Sequence, residues 1–329
     1  MNQERKCVFV TYRIPEESVS ALGEAGYEVK WPAGRRATRE EFLTMAERCE
    51  ALITVFGQAV PAEVLERTNA VRILSNYGAG VDNIDLERAT RAGIVVTNTP
   101  DQVTRPTAEL AMALLLTLVR RVAELDRKLR HDAADVRWGV MENLGATLDG
   151  KRLGIIGMGR IGRTMAAMAR PFGMEIVYHN RRRLPQTTEE TLRATWLPLE
   201  ELLATADVVS LHTPLTDETR HLIDAAALER MKTTAVLVNT ARGAVVDEQA
   251  LIAALRKGTI AGAALDVFEH EPEIPPELLQ LDNVVAVPHI GTATLDTRIA
   301  IGRQAARNIL DFFEGKELKY CVNPEVMNH

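Results

Sequence analysis

Cysteine is scarce in this chain. Three occur in 329 residues, Cys7, Cys49 and Cys321. Their wide scatter offers neither the short paired spacings of a metal site nor a disulfide framework. Each reads as a small apolar packing residue, no metal is expected, and a reduced, cytoplasmic setting fits best. Long hydrophobic runs are missing too: the longest, Leu110 to Leu116, is far short of a membrane span. Nor is there a basic excess. The net charge of −6 disfavours a general nucleic-acid binder while leaving room for a local anion site. No short internal repeat or low-complexity segment is visible. The opening residues run straight into the strand-like Cys7-Val-Phe-Val, with no signal peptide apparent.

What is present is alternation. The length makes two domains the prior expectation and allows substantial cores. In the first hundred residues, strand-like segments at Cys7–Tyr12, Tyr27–Trp31, Ala51–Val55, Val71–Asn76 and Ile94–Asn98 are separated by helical patterns. One of these, Thr38–Arg48, opens with the capping-box order Thr38-x-x-Glu41. A helical stretch from about Thr107 to Arg130 follows. Its first half, Leu110–Val119, is apolar almost all round and should be buried. An irregular segment, His131–Gly150, leads to a second alternating block. Its strands are read at Arg152–Ile156, Glu175–Tyr178, Val208–His212, Ala235–Asn239, Gly262–Asp266 and Val284–Val287. An amphipathic helix, Thr297–Glu314, ends at Gly315. Such alternation implies parallel sheets with helices on both faces, and the second block resembles a six-strand doubly wound plan.

The first strand of that second block runs into Gly157-x-Gly159-x-x-Gly162, after which the apolar spacing turns helical. A turn of this kind lets backbone approach a pyrophosphate closely and presents a helix N-terminus to its charge. A lone glycine pattern is weak. With a strand before it, a helix after it and a second strand at Glu175–Tyr178, it points to a bound dinucleotide.

Three further residues stand just after strands. Arg242 lies in Asn239-Thr-Ala-Arg-Gly243, Glu271 in Asp266-Val-Phe-Glu-His-Glu-Pro272, and His289 in Pro288-His-Ile-Gly291. Loops beyond the carboxyl ends of doubly wound strands line the ligand crevice. An Arg clamps a carboxylate with two parallel hydrogen bonds, a His moves a proton near neutral pH, and a Glu paired to that His orients its ring. Together they suit hydride transfer between a nicotinamide and an α-keto or α-hydroxy acid. Singly, Arg242 reads equally well as a salt-bridged surface residue, Glu271 as a solvated loop charge and His289 as a packing residue.

In order and spacing, these motifs, with Asn76-Tyr-Gly-Ala-Gly-Val-Asp-Asn-Ile-Asp85 and Pro106-Thr-Ala-Glu-Leu110, resemble the D-isomer-specific 2-hydroxyacid dehydrogenases, glyoxylate/hydroxypyruvate reductase branch, over essentially the whole chain. The resemblance implies an α/β fold of two doubly wound parallel-sheet domains. A discontinuous flavodoxin-like substrate domain would comprise residues 1–100 and 292–329. A Rossmann NAD(P)-binding domain, residues 101–291, would be inserted into it and carry the long helix and a dimerisation arm. It further implies that His289 is the acid/base, Glu271 its partner, and Arg242 the binder of substrate carboxylate and carbonyl. Backbone amides around Ala79 and Gly80 would hold the carboxylate. Arg160 and Ile161 would meet the pyrophosphate, Thr107 the phosphate or nicotinamide side, and Asp266 the nicotinamide amide. Gly157, Gly159, Gly162, Asn180, Arg181, Arg182, His212, Thr213, Pro214, Thr240, Ala241, Arg242, His289 and Gly291 complete the implied cofactor contacts. A homodimer is implied as well.

One departure bears on the cofactor. NAD-binding members place an Asp about 20 residues past the glycines. Here that strand end reads Tyr178-His-Asn-Arg-Arg-Arg183. Asn180 removes a repelling carboxylate and the arginines suit a 2′-phosphate, so NADP(H) is favoured over NAD(H), against a solvated basic loop. Ala79 stands where phosphite-oxidising relatives carry a lysine, which argues against phosphite. The expected activity is reduction of glyoxylate, hydroxypyruvate or a similar small 2-keto acid. The competing readings are a 2-ketogluconate-type sugar-acid reductase and a non-catalytic, cofactor-sensing corepressor-like protein.

Overall fold

The computed structural model describes residues 6–67 and 70–328. Residues 1–5, which enter the reading that no signal peptide is present, lie outside the described residues. The chain divides into two compact units, Met1–Val103 with Thr292–His329, and Thr104–Gly291.

The first unit is built on strands β1 (Cys7–Val10), β2 (Glu28–Lys30), β3 (Ala51–Val55), β4 (Ile73–Tyr77) and β5 (Val95–Thr97), all parallel, in the order β2-β1-β3-β4-β5. That is the flavodoxin-like order. Every residue of β3 and β4 is buried, because helices cover both faces of a parallel sheet. One face packs on Phe42, Val64 and Leu65. The other packs on the helix Leu295–Phe313 through Ile301, Ala305, Ile309 and Leu310. Thr38 caps the helix Arg39–Ala46 as its sequence implies. The Glu41 amide donates to its hydroxyl at 3.2 Å, and its own amide donates to the Glu41 carboxylate at 2.7 Å.

The second unit carries β6 (Arg152–Ile156), β7 (Glu175–His179), β8 (Ala194–Trp196), β9 (Val208–Leu211), β10 (Val236–Asn239), β11 (Gly262–Leu265) and β12 (Val284–Ala286). All are parallel, ordered β12-β11-β10-β9-β6-β7-β8. The strand order reverses beside β6, and the Gly157 turn leaves β6 at that switch point. β8 is absent from the sequence reading, which finds six strands where seven form. Its three residues are too few to show an alternation.

Two other expectations are corrected. The stretch Thr107–Arg130 is two helices, Pro100–Val119 and Val122–His131. The break falls at Arg121, which adopts φ +56° and ion-pairs with Glu124 at 2.7 Å, while the Ala146 amide donates to the freed Val119 carbonyl at 2.8 Å. The apolar half of the stretch is buried only in part: Ala111, Leu114 and Leu115 are buried, Leu110, Leu116 and Val119 are half-buried, and Ala113 is exposed. Second, Cys7 and Cys49 are bonded to each other. The reading of both as unpaired packing residues is therefore wrong, and cysteine scatter carries no argument about the compartment. The two stand 42 residues apart in sequence, but β1 and β3 are neighbours, and the Glu50 amide donates to the Cys7 carbonyl at 3.1 Å. Among the described residues, no helix is long and apolar enough to cross a membrane.

Candidate active site

β10, β11 and β12 are adjacent and parallel, so their carboxyl ends open on one edge of the sheet. Arg242, Glu271 and His289 each follow one of them. Asn239, the last residue of β10, shapes the first loop. Its carbonyl Oδ1 accepts from the Ala241 amide and its Nδ2 donates to the Arg242 carbonyl, each at 3.0 Å. Arg242 Nη1 donates to the Ala241 carbonyl at 2.8 Å. Asp266, after β11, shapes the loop of His289. Its Oδ1 accepts from the Ile290 amide at 2.6 Å, its Oδ2 from the Gly291 amide at 2.9 Å, and its carbonyl from the His289 amide at 2.9 Å. These bonds hold His289 at φ +51°, a region that costs a non-glycine residue about 1–3 kcal/mol. Asp266 is buried. Burial pushes its carboxyl up to about 6, against the two amides and the charge of His289 that pull it down.

Glu271 and His289 meet. Glu271 Oε2 accepts from His289 Nδ1 at 2.8 Å, and Oε1 accepts from the Phe268 amide at 3.0 Å. A carboxylate only accepts, so the proton of this bond sits on Nδ1 and Nε2 lies across the ring from it. Burial raises the Glu271 carboxyl, but the His289 bond and charge, the Phe268 amide and the Arg242 guanidinium outweigh it and hold it below the usual range. Glu271 is thus ionised at neutral pH, within the field of Arg242 and bonded to His289.

The glycine turn lies two strands away. Gly157 adopts φ +97°, and a Cβ there would come 2.6 Å from the His212 carbonyl. A Cβ on Gly162 would lie 2.4 Å from the Gly157 oxygen, whereas one on Gly159 meets nothing within 4 Å. Gly159 precedes the helix Arg160–Ala169, whose N-terminus no side chain caps among the described residues. The close-packed turn and the helix start that follows it form a cradle suited to a pyrophosphate. The ring of His212 is enclosed beside it. Burial pushes this imidazole down to about 4, so it is neutral, and Nε2 bonds the Ser210 hydroxyl at 2.9 Å. His212 Nδ1 and Thr240 Oγ1 are buried without a hydrogen-bond partner among the described residues. Both suit polar groups of a dinucleotide, and the residues present fit one.

The other sequence-read positions of this unit distribute around the same edge. Asn180 Oδ1 accepts from the Met158 amide at 2.7 Å, tying the end of β7 to the glycine turn. Arg181 and Arg182 are exposed, while the neighbouring Arg183 is engaged by Glu189 at 2.8 Å. Thr213 follows β9 against Gly157, and the Pro214 carbonyl accepts from Thr219 Oγ1 at 2.7 Å. Ala241 is buried, and buried Thr107 donates to the Gly291 carbonyl at 3.5 Å. In the first unit, the carbonyls of Ala79 and Gly80 accept from Asn98 and Asn76 side chains at 2.7 Å each, which fixes the peptides of that loop. The sequence reading gives Asn239 no role. Its signal is an Asn closing a strand, a residue type that bonds the backbone two residues on.

Asp266→Asn places an N–H₂ group against one of the two amides the carboxylate now receives. We expect a loss of about 1–3 kcal/mol, seen as a lower urea midpoint, with turnover falling because His289 hangs from the same loop. A midpoint and turnover both like wild type would remove Asp266 from this role.

Comparison with known proteins agrees with this geometry. Residues 112–291 match the family model described as D-isomer specific 2-hydroxyacid dehydrogenase, NAD binding domain. The chain is 46% identical to a glyoxylate reductase of Thermococcus gammatolerans, over 97% of this chain and 96% of the relative. The crystal structure of a glyoxylate reductase from Paecilomyes thermophila superposes with a TM-score of 0.87 at 35% identity, covering 98% of this chain and 99% of that one. An NADPH-dependent glyoxylate/hydroxypyruvate reductase from Sinorhizobium meliloti, solved with NADP and malonate, gives 0.86 at 31% identity, covering 97% of each chain. A doubly wound cofactor sheet with its glycine turn at the switch point, and full-length likeness to these reductases, make the chain a nicotinamide-dependent oxidoreductase that belongs to the D-isomer specific 2-hydroxyacid dehydrogenase family.

Proposed function

We propose that this enzyme reduces glyoxylate, hydroxypyruvate and similar small 2-keto acids to D-2-hydroxy acids, with NADPH preferred over NADH and His289 as acid/base. The observation that carries the reading is the Glu271–His289 hydrogen bond beside Arg242, on the ends of three adjacent strands. The names of the relatives support glyoxylate as substrate. The nicotinamide cofactor supplies the hydride when bound. Its pyrophosphate would be held at Gly157, Gly159, Arg160, Ile161 and Gly162. Thr107, Asn180, Arg181, Arg182, His212, Thr213, Pro214, Thr240, Ala241, Asp266 and Gly291 contribute the remaining contacts in this reading.

The chain's own residues then divide the chemistry. Arg242 clamps the substrate carboxylate and carbonyl and stabilises the negative charge that builds on the carbonyl oxygen. The amides of Ala79 and Gly80 bind the carboxylate. His289 gives its proton to that oxygen, and Glu271 orients the ring through its hydrogen bond to Nδ1. Trp138 is 87% exposed, Val140 93% and Met141 76% in the segment after the helix Val122–His131. Exposed apolar side chains in series support an interface, and we assign them to a two-fold homodimer. The same reading has the enzyme in the cytoplasm, with small molecules rather than nucleic acid or membrane as partners.

The primary assay follows NADPH oxidation with glyoxylate. In it, His289→Ala loses roughly 10²–10⁴-fold of rate with cofactor affinity retained, the usual worth of general acid–base catalysis. Arg242→Ala raises KM for the keto acid and slows turnover. Near-wild-type turnover in His289→Ala would rule the assignment out.

Cofactor choice is read from kcat/KM for both cofactors at two salt concentrations. A charge-assisted hydrogen bond from Arg181 to a 2′-phosphate is worth roughly 1.5–3 kcal/mol. At about 1.4 kcal/mol per decade, NADPH is preferred at least about tenfold. Arg181→Ala loses most of that preference, added salt weakens it, and Asn180→Asp moves the enzyme toward NADH. Equal constants would reduce the arginine run to a solvated loop.

Assembly is checked by light scattering at micromolar concentration, which should return twice the 36.3 kDa chain mass. A monomer at that concentration would refute the dimer.

A further inference from the structure

Two side chains behind the candidate site take no part in the chemistry above, His221 and Glu269. His221 Nε2 lies 2.7 Å from Glu269 Oε1. A carboxylate only accepts, so the imidazole donates. Glu269 stands two residues before Glu271 on the loop after β11. The segment of His221 is stitched to the loop of Arg242: the His221 amide donates to the Ala244 carbonyl at 2.8 Å, and the Ile223 amide to the Val245 carbonyl at 3.1 Å. Glu269 reaches that loop a second way. Its amide donates to Glu248 Oε2 at 3.4 Å, and its Oε2 accepts from the Glu248 amide at 3.5 Å, at the start of the helix Glu248–Lys257. A third contact is steric. A Cβ on Gly243 would come 1.9 Å from the Phe268 carbonyl carbon, so the peptide after Arg242 lies flush on the peptide before Glu269. His221 itself is held at φ +51°, as His289 is.

We propose that His221 and Glu269 are positioning residues, a brace that sets the spacing between Arg242 and the Glu271–His289 pair. The inference rests on the roles proposed above for those three. Arg242 and His289 must converge on one carbonyl oxygen from two different loops, and a misplacement of about 1 Å in such an arrangement costs up to about a hundredfold in rate. Asn239 orders the loop after β10 from within, and Asp266 ties the loop after β11 to the loop after β12. The His221–Glu269 bond and its contacts with Glu248 and Gly243 run between the loop after β10 and the loop after β11. His221 is 40% exposed at its side chain and Glu269 16%, so truncating His221 leaves little buried void.

The test uses the full chain and measures kcat and KM for glyoxylate, the dissociation constant for NADPH by fluorescence, and the unfolding midpoint. His221→Ala and Glu269→Ala should each lower kcat/KM about tenfold to a hundredfold, KM rising and kcat falling, with NADPH affinity unchanged. His221→Gln, whose amide N–H still donates to Glu269, should recover most of the loss. Because the two act as one unit, the double variant should be no worse than the more damaging single. Wild-type kcat/KM in folded single variants, additive losses in the double, or parallel loss of NADPH binding and turnover would overturn the proposal. His289→Ala is measured alongside. If it keeps turnover, the reading of the site fails. If it abolishes turnover while both brace variants behave as wild type, only the brace fails.

Discussion

Parallel pairing of β10, β11 and β12 is the constraint on which the rest depends. Parallel strands need a crossover between each pair, so every connection leaves from the same edge. Three consecutive connections can therefore each deliver one functional group to one place without any long-range design of the loops. The strands are almost wholly buried and mostly apolar, Gly262–Leu265 being the extreme case. That burial makes the sheet a fixed platform. The loops then need only short-range devices: Asn239 within one, Asp266 between two, and the Glu271–His289 bond across the gap.

Most of this platform is legible, because a parallel sheet writes itself as apolar runs separated by helical spacing. Ala51–Val55 and Arg152–Ile156 are read to the residue. What escapes is local or depends on tertiary neighbours. β8 is too short to carry a periodic signal. The helix break at Arg121 follows from a left-handed residue stabilised by its own ion pair to Glu124, which no helix-propensity argument anticipates. The Cys7–Cys49 bond joins neighbouring strands, and sequence separation is blind to strand adjacency. At the site, the strand-end positions of Arg242, Glu271 and His289 can be read from order alone. The hold of Asp266 on the His289 loop cannot, because its donors Ile290 and Gly291 lie beyond the next strand and leave no local mark.

Asp266 illustrates that gap. A buried carboxylate in the loop after β11 looks like a ligand contact. Both of its oxygens accept backbone amides from the His289 loop, and its carbonyl accepts a third. It organises the neighbouring loop first, and any cofactor contact must share oxygens already in use. The Asn180 side chain likewise has a structural duty of its own: it ties the end of β7 to the glycine turn through Met158.

The two ends of the chain build one unit together, Met1–Val103 with Thr292–His329. The helix Leu295–Phe313 supplies Ile301, Ala305, Ile309 and Leu310 to the core of that first sheet. On a ribosome, chains emerge from the N-terminus at about 5–20 residues per second. The unit begun first is thus finished last, after the whole of Thr104–Gly291 has emerged and had time to fold. For an interval of roughly ten seconds or more, one face of β3 and β4 is without its helix. Until Leu295–Phe313 emerges, the chain carries a cofactor sheet free to fold beside an uncovered apolar surface, the exposure that makes partly folded chains prone to aggregate.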